Sequence, residues 1–173
     1  MLKTNENAIL KGSHAGVNPD AFMRKARLTD VPEIHKLINH YADRQLMLPK
    51  THLQLYENLR DYSVAVQAAD DDAVVACGAL HIYWQDLAEI RAVAVVPETA
   101  AKGVGSMLVE GLIHEAREYR LEQVFVFTYV PRFFSRFGFI QVEHRTMPLK
   151  VYNECFHCPK FNTCDELAMV LHL

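Results

Sequence analysis

The sequence predicts an α/β (α+β) fold, a mixed sheet with helices covering its faces, and three observations carry that reading. Strand and helix periodicities alternate in the order β-α-α-β-β-β-α-β-α-β-β. Glu89–Val96 is a compact alternating run stopped by Pro97, with Glu89, Arg91, Val93 and Val95 on one face and Ile90, Ala92, Ala94 and Val96 on the other. Directly after it, Val104, Met107, Leu108, Gly111 and Leu112 fall at i, i+3, i+4, i+7 and i+8, the stripe of an amphipathic helix over about Gly105–Tyr119.

The remaining elements follow in order. Residues 1–21, polar and aperiodic with Gly12, Gly16 and Pro19, are expected to form a flexible tail, and residues 22–173 the domain. Met23–Leu28 reads as a short strand. Thr29 and Asp30 offer N-cap oxygens, Pro32 suits a first helical turn, and Ile34, Leu37, Ile38 and Tyr41 follow at helical spacing. A second helix covers Thr51–Leu59. Val64, Val66 and Ala68 alternate as a strand, Asp70–Asp72 supply a turn, and Val74–His81 returns. Beyond the amphipathic helix come a strand at Val124–Tyr129, a short helix at Arg132–Phe137, and strands at Phe139–Val142 and Leu167–Leu171.

Composition limits what such a domain does. At 173 residues with 50% apolar and 23% charged side chains, the chain suits one globular domain. It can bury roughly two-thirds of its unfolded surface. Its net charge of −3 argues against broad binding to nucleic acid. No apolar run approaches the ~18 residues of a membrane span. The first twenty residues lack the apolar stretch of a secretory signal, so a cytoplasmic location is expected. The four cysteines suit a reducing compartment, since Cys77 stands alone while Cys155, Cys158 and Cys164 cluster.

The main chemical signal is the join Val95–Val109, VVPETAAKGVGSMLV. A strand ends at proline, a loop passes Lys102, Gly103 and Gly105, and a helix begins. Glycines allow close backbone approach, a helix N-terminus offers N–H groups and partial positive charge, and Lys102 adds a cation. Phosphate or pyrophosphate is the expected guest; an ordinary strand–helix turn is the plainer reading. The spacing matches neither GxGxxG nor the GK[ST] ending of a P-loop.

With A100-A-K-G103-V-G105 followed by F133-F134-S-R-F-G138-F139, the chain resembles the GNAT family of acetyl-CoA-dependent N-acetyltransferases over roughly Met23–Leu173. That resemblance implies a mostly antiparallel sheet with a splay between its two central strands. It implies acetyl-CoA as co-substrate, with no metal required for catalysis. Ala101, Lys102, Gly103, Val104, Gly105 and Ser106 would hold the pyrophosphate, the backbone of Val93 and Val95 the pantetheine arm and acetyl carbonyl, and Phe133 and Phe134 would belong to the cofactor site. Two residues depart from the pattern. Ala100 replaces a usual Gln or Arg, and Phe134 stands where many members carry a Tyr that protonates the departing thiolate.

Within the family, R24-K-A26-R-L-T-D30-V, A76-C77-G78-A79-L80, E89-I-R-A-V-A-V95 and F125-V-F-T128 are similar to the acetyltransferase domain of the bacterial N-acetylglutamate synthases, which open arginine biosynthesis. L48-P-K50-T51 occupies the place of a cation followed by a small hydroxyl residue. The longer members carry a kinase-like domain that binds arginine; a chain of this length is expected to be the short form. The implied reaction is direct transfer of acetyl to the α-amino group of L-glutamate in a ternary complex. Amide formation needs a neutral amine, so a carboxylate facing the cleft must take its proton, and Glu89 is the candidate base. A dicarboxylate acceptor needs cations, for which Lys50, Arg91 and Lys160 are the candidates. Tyr129, at its strand end, is the candidate acid in place of Phe134. The plainer readings are a solvated Glu89, surface lysines, and an Arg91 that merely pairs with Glu89. The expected partners are small molecules, without nucleic acid or membrane, and a homodimer stays open. Other readings are a GNAT enzyme for another amino acid, a polyamine or a protein amine, or a non-catalytic acyl-CoA- or metal-binding regulator. Cys155, Cys158 and Cys164, with His157 and Asp165 nearby, are compatible with a structural metal, a labile disulfide, or inert or substrate-lining residues over the acceptor mouth.

Overall fold

Period-two apolar runs become strands and 3.6-period runs become helices throughout the computed structural model, which describes residues 20–148, 156, 158 and 160–173. The elements are β1 (Ala21–Lys25), α1 (Val31–Ala42), α2 (His52–Glu57), β2 (Tyr62–Gln67), β3 (Asp70–Trp84), β4 (Leu87–Val95), α3 (Val104–Glu118), β5 (Gln123–Thr128), α4 (Pro131–Ser135), β6 (Ile140–Val142) and β7 (Leu167–His172). The strands form a seven-stranded sheet in the order β1-β2-β3-β4-β5-β7-β6. Every neighbouring pair is antiparallel except β4 with β5. This is the expected mixed, mostly antiparallel sheet.

Helices cover both faces because the strands alternate. On one face Leu108, Leu112 and Ala116 of α3 pack on Ala76, Leu80 and Ile90. On the other, Ile34 and Ile38 of α1 and Leu55 of α2 pack on Val64, Val66, Cys77 and Ala79. Each buried aliphatic side chain contributes about 1.5–3 kcal/mol. Gly78 sets how closely α3 approaches: a Cβ there would lie 3.2 Å from Leu112 Cδ1 and 3.3 Å from Leu108 Cδ2.

Several boundaries differ from expectation, each for a local reason. Residues 1–19 of the expected tail lie outside the described residues, and β1 already opens at Ala21 rather than Met23. It ends at Lys25, short of Leu28, because Asp30 gathers the chain. Its carboxylate accepts hydrogen bonds from Arg24 at 2.6 and 2.9 Å and from the Arg27 amide at 2.6 Å. Thr29 and Asp30 therefore lie in a 3-10 turn and Asp30 makes no side-chain cap to α1, although Pro32 does occupy the first turn. Burial would raise the Asp30 carboxyl, but the Arg24 and Arg27 hydrogen bonds and charges hold it below the usual carboxylate range.

The second helix starts where expected, since Thr51 accepts from the Gln54 amide at 3.2 Å. It stops at Glu57, and Leu59–Asp61 form a 3-10 turn into β2. The β2–β3 turn falls at Ala68–Ala69. Asp70–Asp72, expected to be that turn, instead belong to an irregular opening of β3, where the partner jumps from Val74 to Asp70 between Val66 and Gln67. β3 runs on to Trp84, and α4 stops at Ser135.

Candidate active site

The site begins where two parallel strands part. β4 and β5 pair at Leu87↔Gln123, Ala88↔Val124 and Glu89↔Phe125, and no further pairing joins them. Beyond Glu89 the strands diverge, and β5 stays bound to β7 as far as Thr128↔Leu167. The expected splay is this gap. A cavity of about 460 Å³ opens there, lined by β4 from Glu89 to Val93, the ends of β5 and α4, the loop after α1, and Cys158, Lys160 and Glu166.

A bulge in β4 decides what faces the cavity. Ala79 pairs with Arg91 but Cys77 pairs with Ala94, so two steps on β3 match three on β4. Ala92 takes the extra step with φ 52°, a conformation that costs a non-glycine residue roughly 1–2 kcal/mol. Strict alternation would put Glu89, Arg91, Val93 and Val95 on one face. The bulge corrects this: Arg91 stays with Ala79 on the α1 side, while Val93 and Val95 turn to the α3 side.

The cofactor candidates gather on that side. Gly103 sits in the left-handed region at φ 78° and precedes α3. The amides of Val104, Gly105 and Ser106 precede the first intrahelical bond, Met107 N to Gly103 O at 3.0 Å, and no side chain caps the helix. A Cβ on Gly105 would lie 3.3 Å from Val95 Cγ2 and 3.7 Å from the Phe133 ring, so glycine lets the helix start close to β4 and α4. Phe133 and Phe134 meet edge to face, Phe134 buried, and both reach the cavity. The Val95 carbonyl accepts from Tyr41 Oη at 2.5 Å, which ties α1 to this wall. The side chains of Ala101 and Lys102 lie outside what the structure describes; their backbone ends the 3-10 turn Pro97–Lys102.

The acceptor candidates gather at the opposite end. Glu89 Oε2 accepts from Tyr83 Oη at 3.2 Å and lies 4.0 Å from Arg91 Nη1. Both side chains are nearly buried, at 13% and 9% exposure. Lys50 joins the rim, its backbone held by Asn39. Lys160 Nζ donates to Tyr129 Oη at 3.2 Å and to the Gln45 carbonyl at 3.4 Å, and lies 3.7 Å from Asp165 Oδ1. Tyr129 Oη donates to Asp165 at 2.8 Å. Burial and that bond raise the Tyr129 phenol above its ordinary value, against the pull of Lys160. Hydrogen bonding to Tyr129 and the Asp165 charge raise Lys160.

Glu89, Arg91, Lys50, Lys160, Tyr129, Val93, Phe133 and Phe134 thus share one cavity. Sequence reasoning missed Tyr83 and Glu166, which line it too. Tyr83 announces itself only through register, because β3 and β4 pair at His81↔Glu89. Glu166 is held above the usual carboxylate range by burial and by Asp165 beside it. Cys158 lines the cavity and Cys164 is exposed, whereas Cys155 and His157 lie outside the described residues. Among the described residues no group of three His, Cys, Asp or Glu is arranged to hold a metal ion, and no helix is long and apolar enough to cross a membrane.

Comparison with known proteins agrees with this fold. The family model of the Acetyltransferase (GNAT) family matches residues 30–139. An amino-acid acetyltransferase of Mycobacterium tuberculosis is 40% identical over 132 residues, 76% of this chain and 75% of that protein. The crystal structure of Rv2747 from Mycobacterium tuberculosis, in complex with CoA, superimposes with a TM-score of 0.77 at 35% identity, covering 88% of this chain and 99% of that one. N-acetylglutamate synthase from Neisseria gonorrhoeae, complexed with coenzyme A and N-acetyl-glutamate, shares the fold with a TM-score of 0.78 at 22% identity, over 88% of this chain and 35% of that one.

Proposed function

The chain belongs to the GNAT family of acetyltransferases, with acetyl-CoA as co-substrate, and on that premise we propose that it acetylates the α-amino group of an amino acid, L-glutamate. The observation that carries the proposal is the pairing of a shielded carboxylate, Glu89, with a shielded guanidinium, Arg91, on the cavity wall where β4 leaves β5. An amino-acid acceptor needs both: a base for its ammonium and a cation for its carboxylate. The 40% identical relative, named an amino-acid acetyltransferase, supports the same substrate class. Such a reaction would supply N-acetylglutamate, the opening step of arginine biosynthesis, in the cytoplasm.

The chemistry is an acyl transfer in a ternary complex. Acetyl-CoA lies along the α3 side, its pyrophosphate at the amides of Val104, Gly105 and Ser106 and its pantetheine in the splay beside Val93 and Val95. Glu89 takes a proton from the acceptor ammonium, directly or through a water. The freed nitrogen attacks the acetyl carbonyl, forming the amide C–N bond as the thioester C–S bond breaks, and its second proton passes to the departing sulfur, directly or through water. Arg91 and Lys50 hold the acceptor carboxylates. The CoA sulfur leaves as a thiolate, whose reference pKa near ~8.5 makes an acid helpful but dispensable. Tyr129 is the hydroxyl nearest in role, Phe134 having none to give.

The test is release of CoA thiol from acetyl-CoA by the purified full chain, across the amino acids, spermidine and a short peptide. Selective turnover with glutamate is the expected result. Preference for another amino acid removes the glutamate assignment and keeps the class. Turnover only with polyamine or peptide, or CoA binding without any turnover, overturns the proposal.

A further inference from the structure

Arg91 stands between two carboxylates that come from opposite directions. Its Nη1 lies 4.0 Å from Glu89 Oε2, two residues back on its own strand. Its Nη2 lies 3.8 Å from Asp61 Oδ2, at the end of the 3-10 turn that leads into β2. The same Asp61 oxygen is 2.6 Å from His81 Nδ1, and His81 is the cross-strand partner of Glu89. Carboxylate and guanidinium therefore alternate along Glu89, Arg91 and Asp61, and His81 ends the line on the far side of Asp61 from Arg91. Glu89 and Arg91 line the cavity, whereas Asp61 lies behind it.

We infer that Asp61 is a positioning residue for acceptor recognition: it draws the Arg91 guanidinium away from Glu89, so that base and cation stay separate for the acceptor. The inference rests on the proposed roles of Glu89 and Arg91. The physical reason is competition. A shielded guanidinium and a shielded carboxylate two residues apart on one strand tend to close into a bidentate pair. Such a pair would neutralise the base and occupy the cation, and an incoming amino acid would have to break it. A second carboxylate on the far side of the guanidinium opposes that closure, and the bond from His81 fixes its orientation. The acceptor class this favours is an amine that also bears a carboxylate. Because Asp61 does not line the cavity, its effect must pass through Arg91.

That dependence is what a double-mutant cycle measures. The full-length chain is assayed with its best acceptor from the amine panel, as wild type, Asp61→Asn, Arg91→Ala and the double variant. Asp61→Asn is expected to raise the acceptor KM about tenfold. It should lower kcat less than about threefold and leave the acetyl-CoA KM within about twofold, and Asp61→Glu should restore most of the loss. In the Arg91→Ala background the same substitution should change the acceptor KM less than about twofold. An unchanged acceptor KM in Asp61→Asn, or an equal effect in both backgrounds, overturns the inference. Should Asp61→Asn not fold, His81→Ala reads the same linkage: an acceptor KM raised about threefold supports it and an unchanged one overturns it. The two levels separate cleanly. Selection of an amine without a carboxylate removes the proposed function and this inference together, whereas an amino-acid acceptor indifferent to Asp61 removes the inference alone.

Discussion

Where α3 meets β4 the molecule offers backbone, and where β4 meets the loop after α1 and the segment before β7 it offers side-chain charge. The first region is shaped by Gly103 at φ 78°, by Gly105 packed on Val95 and Phe133, and by the Ala92 bulge that turns Val93 and Val95 toward α3. The second is shaped by Glu89 and Arg91 of β4 and by Lys160, Asp165 and Glu166 of the segment before β7. The difference matches what each end is proposed to bind. Pyrophosphate and a pantetheine arm can be held by amides and a narrow gap, whatever the neighbouring side chains. An acceptor amino acid is distinguished by its charges, which only opposite charges at fixed distances can read.

Substitutions should separate the two regions. The largest expected effect is Glu89→Gln, which keeps the shape and removes the proton acceptor: kcat should fall about 10²–10³-fold. The acetyl-CoA KM should stay within about twofold in steady-state kinetics; a parallel loss of cofactor affinity would break the comparison. Next, Arg91→Ala should raise the acceptor KM about thirtyfold through loss of a charge-assisted contact, with CoA affinity by calorimetry unchanged. The converse is Gly105→Val. Its added atoms would press on Val95 and the Phe133 ring, and should weaken CoA binding about tenfold while leaving the acceptor KM nearly alone. Lys160→Ala should be the smallest, no more than about threefold in acceptor KM, because its ammonium is a third exposed and already shared among Tyr129, Asp165 and Gln45.

The Asp30 brace lies outside both regions and serves as a control. Its carboxyl is held below the usual range in the folded chain, so its contribution to stability is present above the unfolded value of about 3.9 and is lost as pH falls through the lowered folded value. Asp30→Asn should cost roughly 3 kcal/mol in urea unfolding at neutral pH. The variant should also lose part of the stability change on acidification, with CoA and acceptor affinities unchanged in the folded enzyme.

The cofactor region was legible in the chain because its determinants are local. A strand, a proline, two glycines and a helix are consecutive, and the aromatic pair and Gly138–Phe139 follow on the next unit. The order of elements follows from the same patterns, whereas the splay was implied by the family resemblance alone. The acceptor region was legible only as a set of residue types. Glu89, Lys50, Arg91 and Lys160 could be named as a base and cations, but not their neighbours: Tyr83 faces Glu89 through the β3–β4 register, Asp61 reaches Arg91 from the turn before β2, and Glu166 arrives at the start of β7.

Even the facing of β4 escaped its own alternation, since one bulged residue moves Val93 and Val95 to the other side of the sheet from Arg91. Hydrophobic period and turn chemistry act over a few residues, so they are written in the chain and specify which elements form. Pairwise charge and strand register act between residues tens of positions apart. They exist only once the sheet has closed, and they decide which of the named groups meet.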